Sequence, residues 1–142
     1  VTRQGTPGSS ADFADNDFPI FRLAEMYLIY AEGAVRTNAN LTQAHQYMNI
    51  LRNRAYMGSS GNISPTDLDL NFIINERGRE LYWEGFRRTD LIRFNRFVES
   101  TYLWPWKGGV SSGTGVSSIR KLFPIPSTDI NSNFNLKQNP GY

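Results

Sequence analysis

The chain has 142 residues, of which 39% are hydrophobic, 13% aromatic and 20% charged. This composition excludes a disordered chain and suits one folded domain. Fifteen basic residues oppose thirteen acidic ones, which argues against a nucleic-acid-binding surface with one dominant sign of charge. The chain has no cysteine, so disulfides, thiolate metal sites and thiol catalysis are excluded. The chain has no apolar run of about 18 residues, which is the length that would predict a membrane span.

Helical patterns dominate the first hundred residues. Residues 1–17 are rich in Gly, Ser, Thr and Asp and predict an irregular leader, and four helices are expected over residues 18–99. Asp17 caps the first helix, which has Pro19 in its first turn and ends near Thr37. Its predicted apolar face contains Leu23, Met26, Tyr27, Tyr30, Ala31 and Ala34.

The second helix follows after a polar break at residues 37–40. It covers residues 42–56, and its apolar stripe consists of Ala44, Tyr47, Met48, Leu51 and Ala55. A turn this short places the two helices antiparallel, as in one tetratricopeptide-type unit.

The rest of the chain divides into two further helices and a tail. Ser64 and Pro65 begin a helix over residues 66–84, Gly85 interrupts it, and a shorter helix covers residues 88–99. From residue 100 onward, the Gly- and Ser-rich segment and four prolines predict an irregular tail that wraps over the helices through its apolar residues. The fold class is therefore mainly α, with tetratricopeptide-type helix pairs followed by a loop-rich C-terminal tail.

Residues 74–97 consist almost entirely of large hydrophobic and charged residues. Glu76, Glu80 and Glu84 recur every four residues, so they lie on one helical face, where clustered carboxylates can act as acid and base. Arginines stand three residues from two of these acids, within reach on a helix. Such pairing keeps the acids ionised, so we interpret the run as a structural ion network made of Glu76, Arg79, Glu80, Glu84, Arg87 and Asp90.

An aromatic cluster follows in a non-helical stretch. Tyr102, Trp104 and Trp106 either pack the tail onto the helices or form a platform for a sugar ring, because indole combines a large apolar surface with one N–H donor. We adopt them as a hypothetical ligand-binding set. His45, the only histidine, is expected on a helix surface. No catalytic residue, metal site or cofactor is expected.

Four sequence blocks resemble the C-terminal part of the SusD/RagB family. They are DFPIFRLAEMYLIYAEG (17–33), AHQYMNILRNRA (44–55), INERGRELYWEGFRRTDLIRF (74–94) and LFPIPSTDINSNFNLKQNPGY (122–142). Within them, Glu80, Glu84, Arg87 and Asp90 match a block that the resemblance implies to be part of the scaffold.

The resemblance implies a function that neither composition nor spacing reveals. Members of this family are lipoproteins of the outer membrane of Bacteroidetes, bind glycans for nutrient uptake and deliver them to a SusC-like TonB-dependent transporter without acting as enzymes. It also implies that residues 1–142 are the C-terminal part of a longer SusD-like domain, on the extracellular face of the outer membrane. The lipid anchor of the membrane attachment would then be absent from this chain.

Two other functions remain open from the residues themselves. One is a tetratricopeptide-type adaptor that binds protein segments in a helical groove without glycan. The other is a hydrolase that uses Glu80 or Glu84 as acid or base.

Overall fold

A computed structural model describes Ser10 and residues 19–142. The described residues form five α-helices and no β-strand. The chain divides into two compact units, Val1–Ile73 and Ile74–Tyr142. The helices are α1 (Leu23–Thr37), α2 (Leu41–Tyr56), α3 (Leu70–Glu80), α4 (Arg87–Arg93) and α5 (Ser127–Ser132). Apart from Ser10, the expected leader at residues 1–17, with the Asp17 cap, lies outside the described residues.

The first unit contains the helix pair α1 and α2. Asn38 and Asn40 take left-handed backbone conformations, with φ of 51° and 54°, which asparagine adopts more readily than most residues. The N–H of Asn38 donates to the carbonyl of Ala34 and closes α1. The polar break predicted at residues 37–40 is therefore a tight connection built on two asparagines.

The buried face of α1 differs from the predicted one. Leu23 and Met26 are exposed, whereas Leu28 is fully buried. Three of the four buried hydrophobic residues of α1 are alanines, whose small side chains allow close approach of a second helix. The buried hydrophobic residues of the pair are Ala24, Leu28, Ala31 and Ala34 on α1, and Ala44, Met48 and Leu51 on α2.

The predicted helix over residues 66–84 is too long at both ends. Ser64 and Asp67 form a reciprocal capping box, but it caps only a short 3-10 turn, Pro65–Asp67. Asp69 then accepts a hydrogen bond from the N–H of Phe72 (2.6 Å), which caps α3. At the other end, α3 stops at Glu80 and a turn covers residues 81–85, where Trp83 and Gly85 have positive φ.

The second unit is built around short helices. α4 ends at Arg93 rather than at the predicted residue 99, because Asn95 adopts a φ of 55° and the N–H groups of Arg96 and Phe97 turn back to the carbonyl of Leu91. The buried hydrophobic residues of this unit are Ile74, Leu81, Leu91 and Val98.

Polar contacts hold the tail more than the predicted apolar anchors do. Phe123 is 68% exposed and Phe134 is 93% exposed. The side chain of Gln138 accepts from the N–H of Ile125 (2.8 Å) and donates to its carbonyl (2.9 Å), as a neighbouring strand would. The tail is thus held by backbone-directed hydrogen bonds along its extended part.

Candidate functional site

The segment after α4 brings two of the three predicted ligand-binding residues together. The ring of Trp104 lies 6.4 Å from that of Phe97, nearly parallel to it, and 6.4 Å from that of Tyr102, edge to face. Trp106 is 70% exposed and has no ring contact with Tyr102 or Trp104 in the part of the chain that the structure describes. Tyr102 and Trp104 therefore form one aromatic surface, and Trp106 stands apart.

A cavity of about 370 Å³ lies against this surface. Tyr102, Leu103 and Trp104 line one side, and Arg87, Leu91 and Phe97 line the rest together with Arg88. Trp104 also lines a second cavity, of about 360 Å³, which reaches Phe123 and Tyr142. Cavities of this size suit small ligands, which bind where apolar walls carry a few polar groups.

The buried side chain of Lys107 holds the aromatic segment in place. The residue is 3% exposed, and its Nζ donates to the carbonyls of Arg96 (3.4 Å), Glu99 and Tyr102 (2.7 Å). The same Nζ lies 4.6 Å from the centroid of the Trp104 ring, within cation–π range. Burial lowers the pKa of Lys107, and the negative charge of Glu99 opposes that effect. One ammonium group thus ties three loop carbonyls to the Trp104 ring.

A glycine allows the following loop to approach Trp104. Gly113 has a φ of 81°, and a Cβ at this position would lie 2.5 Å from the carbonyl oxygen of Trp104. No larger residue fits there without displacing the backbone. Gly113 therefore permits close packing of the Gly-rich loop against the aromatic segment.

Arg87 holds Tyr102 and does not pair with Glu84 as the spacing had suggested. Its Nη1 donates to the carbonyl of Ile74 (2.7 Å) and its Nη2 to the hydroxyl of Tyr102 (2.7 Å). Gly78 makes this possible, because a Cβ there would lie 2.9 Å from Nη1 of Arg87. The kinked turn before α4 directs the arginine back onto α3 and away from the acid three residues before it.

The ion pairs of residues 74–97 centre on Asp90. Its carboxylate accepts from Nε of Arg77 (2.8 Å) and from Nη2 of Arg93 (2.8 Å). Arg77 and Asp90 are both 3% exposed. Glu76 pairs with Arg79 at 2.5 Å, as the three-residue spacing predicts, whereas Arg77 and Arg93 were absent from the predicted network.

Glu80 and Glu84, the candidate acids of the hydrolase alternative, lie half-buried on this segment. His45 lies on α2, half-buried, with Nε2 2.8 Å from the carbonyl oxygen of Ile63. Within the described residues there is no group of three or more His, Cys, Asp or Glu residues that could hold a metal ion. Nor does any helix of that part have the length and hydrophobicity to cross a membrane.

Comparison with known proteins settles the family. The model of the SusD family matches residues 3–142. The chain belongs to the SusD family. Starch-binding protein SusD of Bacteroides thetaiotaomicron is 45% identical over 138 residues, which are 97% of this chain and 24% of that protein. SusD-like protein P2 of Formosa agariphila is 30% identical over 148 residues, which cover 97% of this chain and 28% of that protein.

Solved structures agree with this assignment. The surface glycan-binding protein A of Bacteroides thetaiotaomicron superposes with a TM-score of 0.71 at 32% identity, over 89% of this chain and 25% of that one. A SusD superfamily protein of Bacteroides vulgatus gives a TM-score of 0.68 at 29% identity, over 87% of this chain and 27% of that one. The prediction of a mainly helical SusD-like fold with tetratricopeptide-type helix pairs is confirmed. The chain spans about a quarter of the length of these relatives.

Proposed function

We propose that the protein is a non-catalytic glycan-binding protein of the cell surface. It captures an oligosaccharide or polysaccharide and delivers it to a SusC-like TonB-dependent transporter in the outer membrane. The observation that carries this proposal is the family match over residues 3–142, together with 45% identity to a protein named for starch binding. The full-length protein is then anchored by lipid to the extracellular face of the outer membrane, and this chain is its C-terminal part.

Tyr102 and Trp104 are the residues of this chain that best suit a sugar. A pyranose presents a flat apolar face with hydroxyl groups at its edge, and an aromatic ring beside hydrogen-bonding groups matches both. The cavity of about 370 Å³ beside the two rings also contains Arg87, whose guanidinium can donate to hydroxyl oxygens. Trp106 belongs to the same hypothesis as an exposed ring at the end of the segment.

Affinity electrophoresis in starch-containing gels tests the proposal on the full-length gene product. Starch is the first probe because of the name of the 45% identical relative. Trp104→Ala should weaken the apparent affinity for starch about fivefold, since one aromatic contact contributes about 1 kcal/mol beyond its area. Trp106→Ala should weaken this affinity less.

Phe134→Ala is the matched control, because Phe134 is 93% exposed in the same unit and lines none of the cavities described above. Equal mobility of the Trp104 and Phe134 variants would remove the aromatic segment from the glycan site. Absence of retardation by any glycan would contradict the proposed function as a whole.

The exposed apolar side chains of α1 favour one alternative, a tetratricopeptide-type adaptor for protein segments. Leu23 is 63% exposed and Ile29 is 49% exposed, and apolar side chains on a helix surface are typical of protein interfaces. This function predicts a peptide ligand whose binding is lost in Leu23→Glu and unchanged by any glycan. A dependence on glycan would exclude it.

A further inference from the structure

The turn between α3 and α4 carries two exposed rings in a strained conformation. Tyr82 is 74% exposed and Trp83 is 84% exposed, and their rings lie 6.1 Å apart with a tilt of 57°. Trp83 has a φ of +66°, a backbone conformation that is unfavourable for a bulky residue. Burial of the indole does not offset this cost, since most of it is exposed. A strained, exposed tryptophan indicates a role outside packing.

A cavity of about 560 Å³ adjoins these rings. Its wall also contains four arginines and Asn75, and no aspartate or glutamate is among its lining residues. The arginines are Arg77, Arg79, Arg87 and Arg88. The wall is therefore rich in donors and positive charge, which favours a ligand with negatively charged oxygen atoms.

Two of these arginines have no carboxylate partner among the described residues. Arg77 pairs with Asp90 and Arg79 with Glu76. Arg87, in contrast, donates only to a carbonyl and a hydroxyl, and Arg88 donates to the carbonyls of Arg120 and Lys121. Neutral acceptors orient these two guanidinium groups and leave their positive charge available to a ligand.

We propose that this cavity is a second saccharide subsite that takes an acidic sugar, one bearing a carboxylate or a sulfate ester. The sugar ring stacks on Trp83, and Arg87 and Arg88 receive the acidic group, since guanidinium groups bind such oxyanions in a bidentate manner. This inference rests on the proposed function and specifies its substrate class.

Titration calorimetry with three probes tests the subsite on the full-length protein. The probes are an oligogalacturonate, a sulfated galactan oligosaccharide and a neutral maltooligosaccharide. An acidic probe should bind with an affinity that falls as NaCl rises, because salt screens the arginines, while binding of the neutral probe should change little. The oligogalacturonate and the sulfated probe distinguish the two kinds of acidic group.

Trp83→Gly separates binding from folding. Glycine tolerates a positive φ, so this variant should be at least as stable as the wild type, yet it should bind the acidic probe about tenfold more weakly. Met57→Gly is the matched control, since Met57 has a φ of 52° and is 95% exposed but lines none of the cavities described above. Arg88→Gln, which removes one of the two guanidinium groups assigned to the acidic group, should weaken binding of the acidic probe several-fold.

The outcomes separate this inference from the proposed function. If the acidic probes do not bind, or bind equally to the wild type, Trp83→Gly and Arg88→Gln, the subsite is overturned. Retardation by starch that requires Trp104 would then still support the proposed function. If no glycan binds the wild type at all, both are overturned.

Discussion

Small and apolar side chains hold the helix pair of the first unit, whereas arginines and one lysine hold much of the second. In the first unit, Leu28 and Met48 are fully buried, and the rings of Tyr27 and Tyr47 stack at 4.4 Å. Buried charge is not absent there, because Glu32 pairs with Arg36 at 2.8 Å. The two helices, of fifteen and sixteen residues, nevertheless have alanines among their buried residues, which permit close packing.

In the second unit, positive groups take the place of hydrophobic side chains. Arg88 lies 4.0 Å from the ring centroid of Phe123 and 5.0 Å from that of Phe97. Lys107 joins three loop carbonyls, and Arg77 reaches Asp90 from α3 to α4. Such groups stabilise irregular segments because they satisfy backbone carbonyls that no helix or sheet pairs.

This difference explains where candidate sites occur. The helix pair of the first unit buries mainly apolar side chains, and the cavity beside it, of about 280 Å³, has no charged side chain among its lining residues. Loops held by long cationic side chains leave gaps beside aromatic rings, and all three aromatic cavities discussed above lie in the second unit. The groups that stabilise this unit are thus also those that can contact a ligand.

Loss of the buried pair in the second unit should have the largest effect. Asp90→Asn keeps the size of the side chain but leaves Arg77 buried without its counter-charge, which should lower the free energy of unfolding by about 3–5 kcal/mol. Urea denaturation of the wild type and the variant measures this difference in the free energy of unfolding. The double variant Arg77→Met, Asp90→Leu should recover most of this loss, since an apolar pair can replace a buried ion pair. A single variant as stable as the wild type would show that the pair contributes little.

Truncation of a buried side chain in the first unit should lower the free energy of unfolding somewhat less. Met48→Ala removes a fully buried side chain and should lower the free energy of unfolding by about 2–4 kcal/mol. This loss should not depend on NaCl concentration, because no charge is involved. Ile50→Ala, at a 48% exposed position of the same helix, is the control. Comparable losses in both variants would contradict the assignment of the buried face of α2.

Replacement of Lys107 should cause the third largest loss of stability, and this loss should depend on pH. Lys107→Met leaves three loop carbonyls without their donor, which should cost about 2 kcal/mol at neutral pH. Burial lowers the pKa of Lys107 from its ordinary value of 10.5, so between the two pKa values the unfolded chain binds more protons and stability rises with pH. Wild type should therefore gain stability relative to Lys107→Met as pH rises toward 10.5. A difference independent of pH would contradict the lowered pKa.

The sequence was informative wherever neighbouring residues decide the structure. The second helix was predicted at residues 42–56 and is found at Leu41–Tyr56, because two asparagines and a periodic apolar stripe define it locally. The ion pair of Glu76 and Arg79 also follows from spacing alone.

Contacts between distant segments could not be predicted in this way. The carbonyl partners of Lys107 lie five to eleven residues away in irregular segments, where no period applies. Arg77 and Asp90 lie thirteen residues apart across a turn, so helical spacing suggested other partners. The left-handed conformation of Trp83 has no signal in its own residue type, since tryptophan disfavours it.

The smallest effect should come from the local cap of the first unit, which tests whether its polar contacts are as local as its sequence suggests. Hydrogen bonds from the side chain and backbone N–H of Ser64 lower the pKa of Asp67. The stabilisation is therefore present above the ordinary pKa of 3.8 and is lost as pH falls through the lower folded-state value. Asp67→Asn should melt slightly below the wild type at pH 7, and the gap should close in acid. Because Ser64→Ala removes the side-chain donor, its effect should overlap with that of Asp67→Asn in a double-mutant cycle. Full additivity of the two would show that the capping box does not act as one unit.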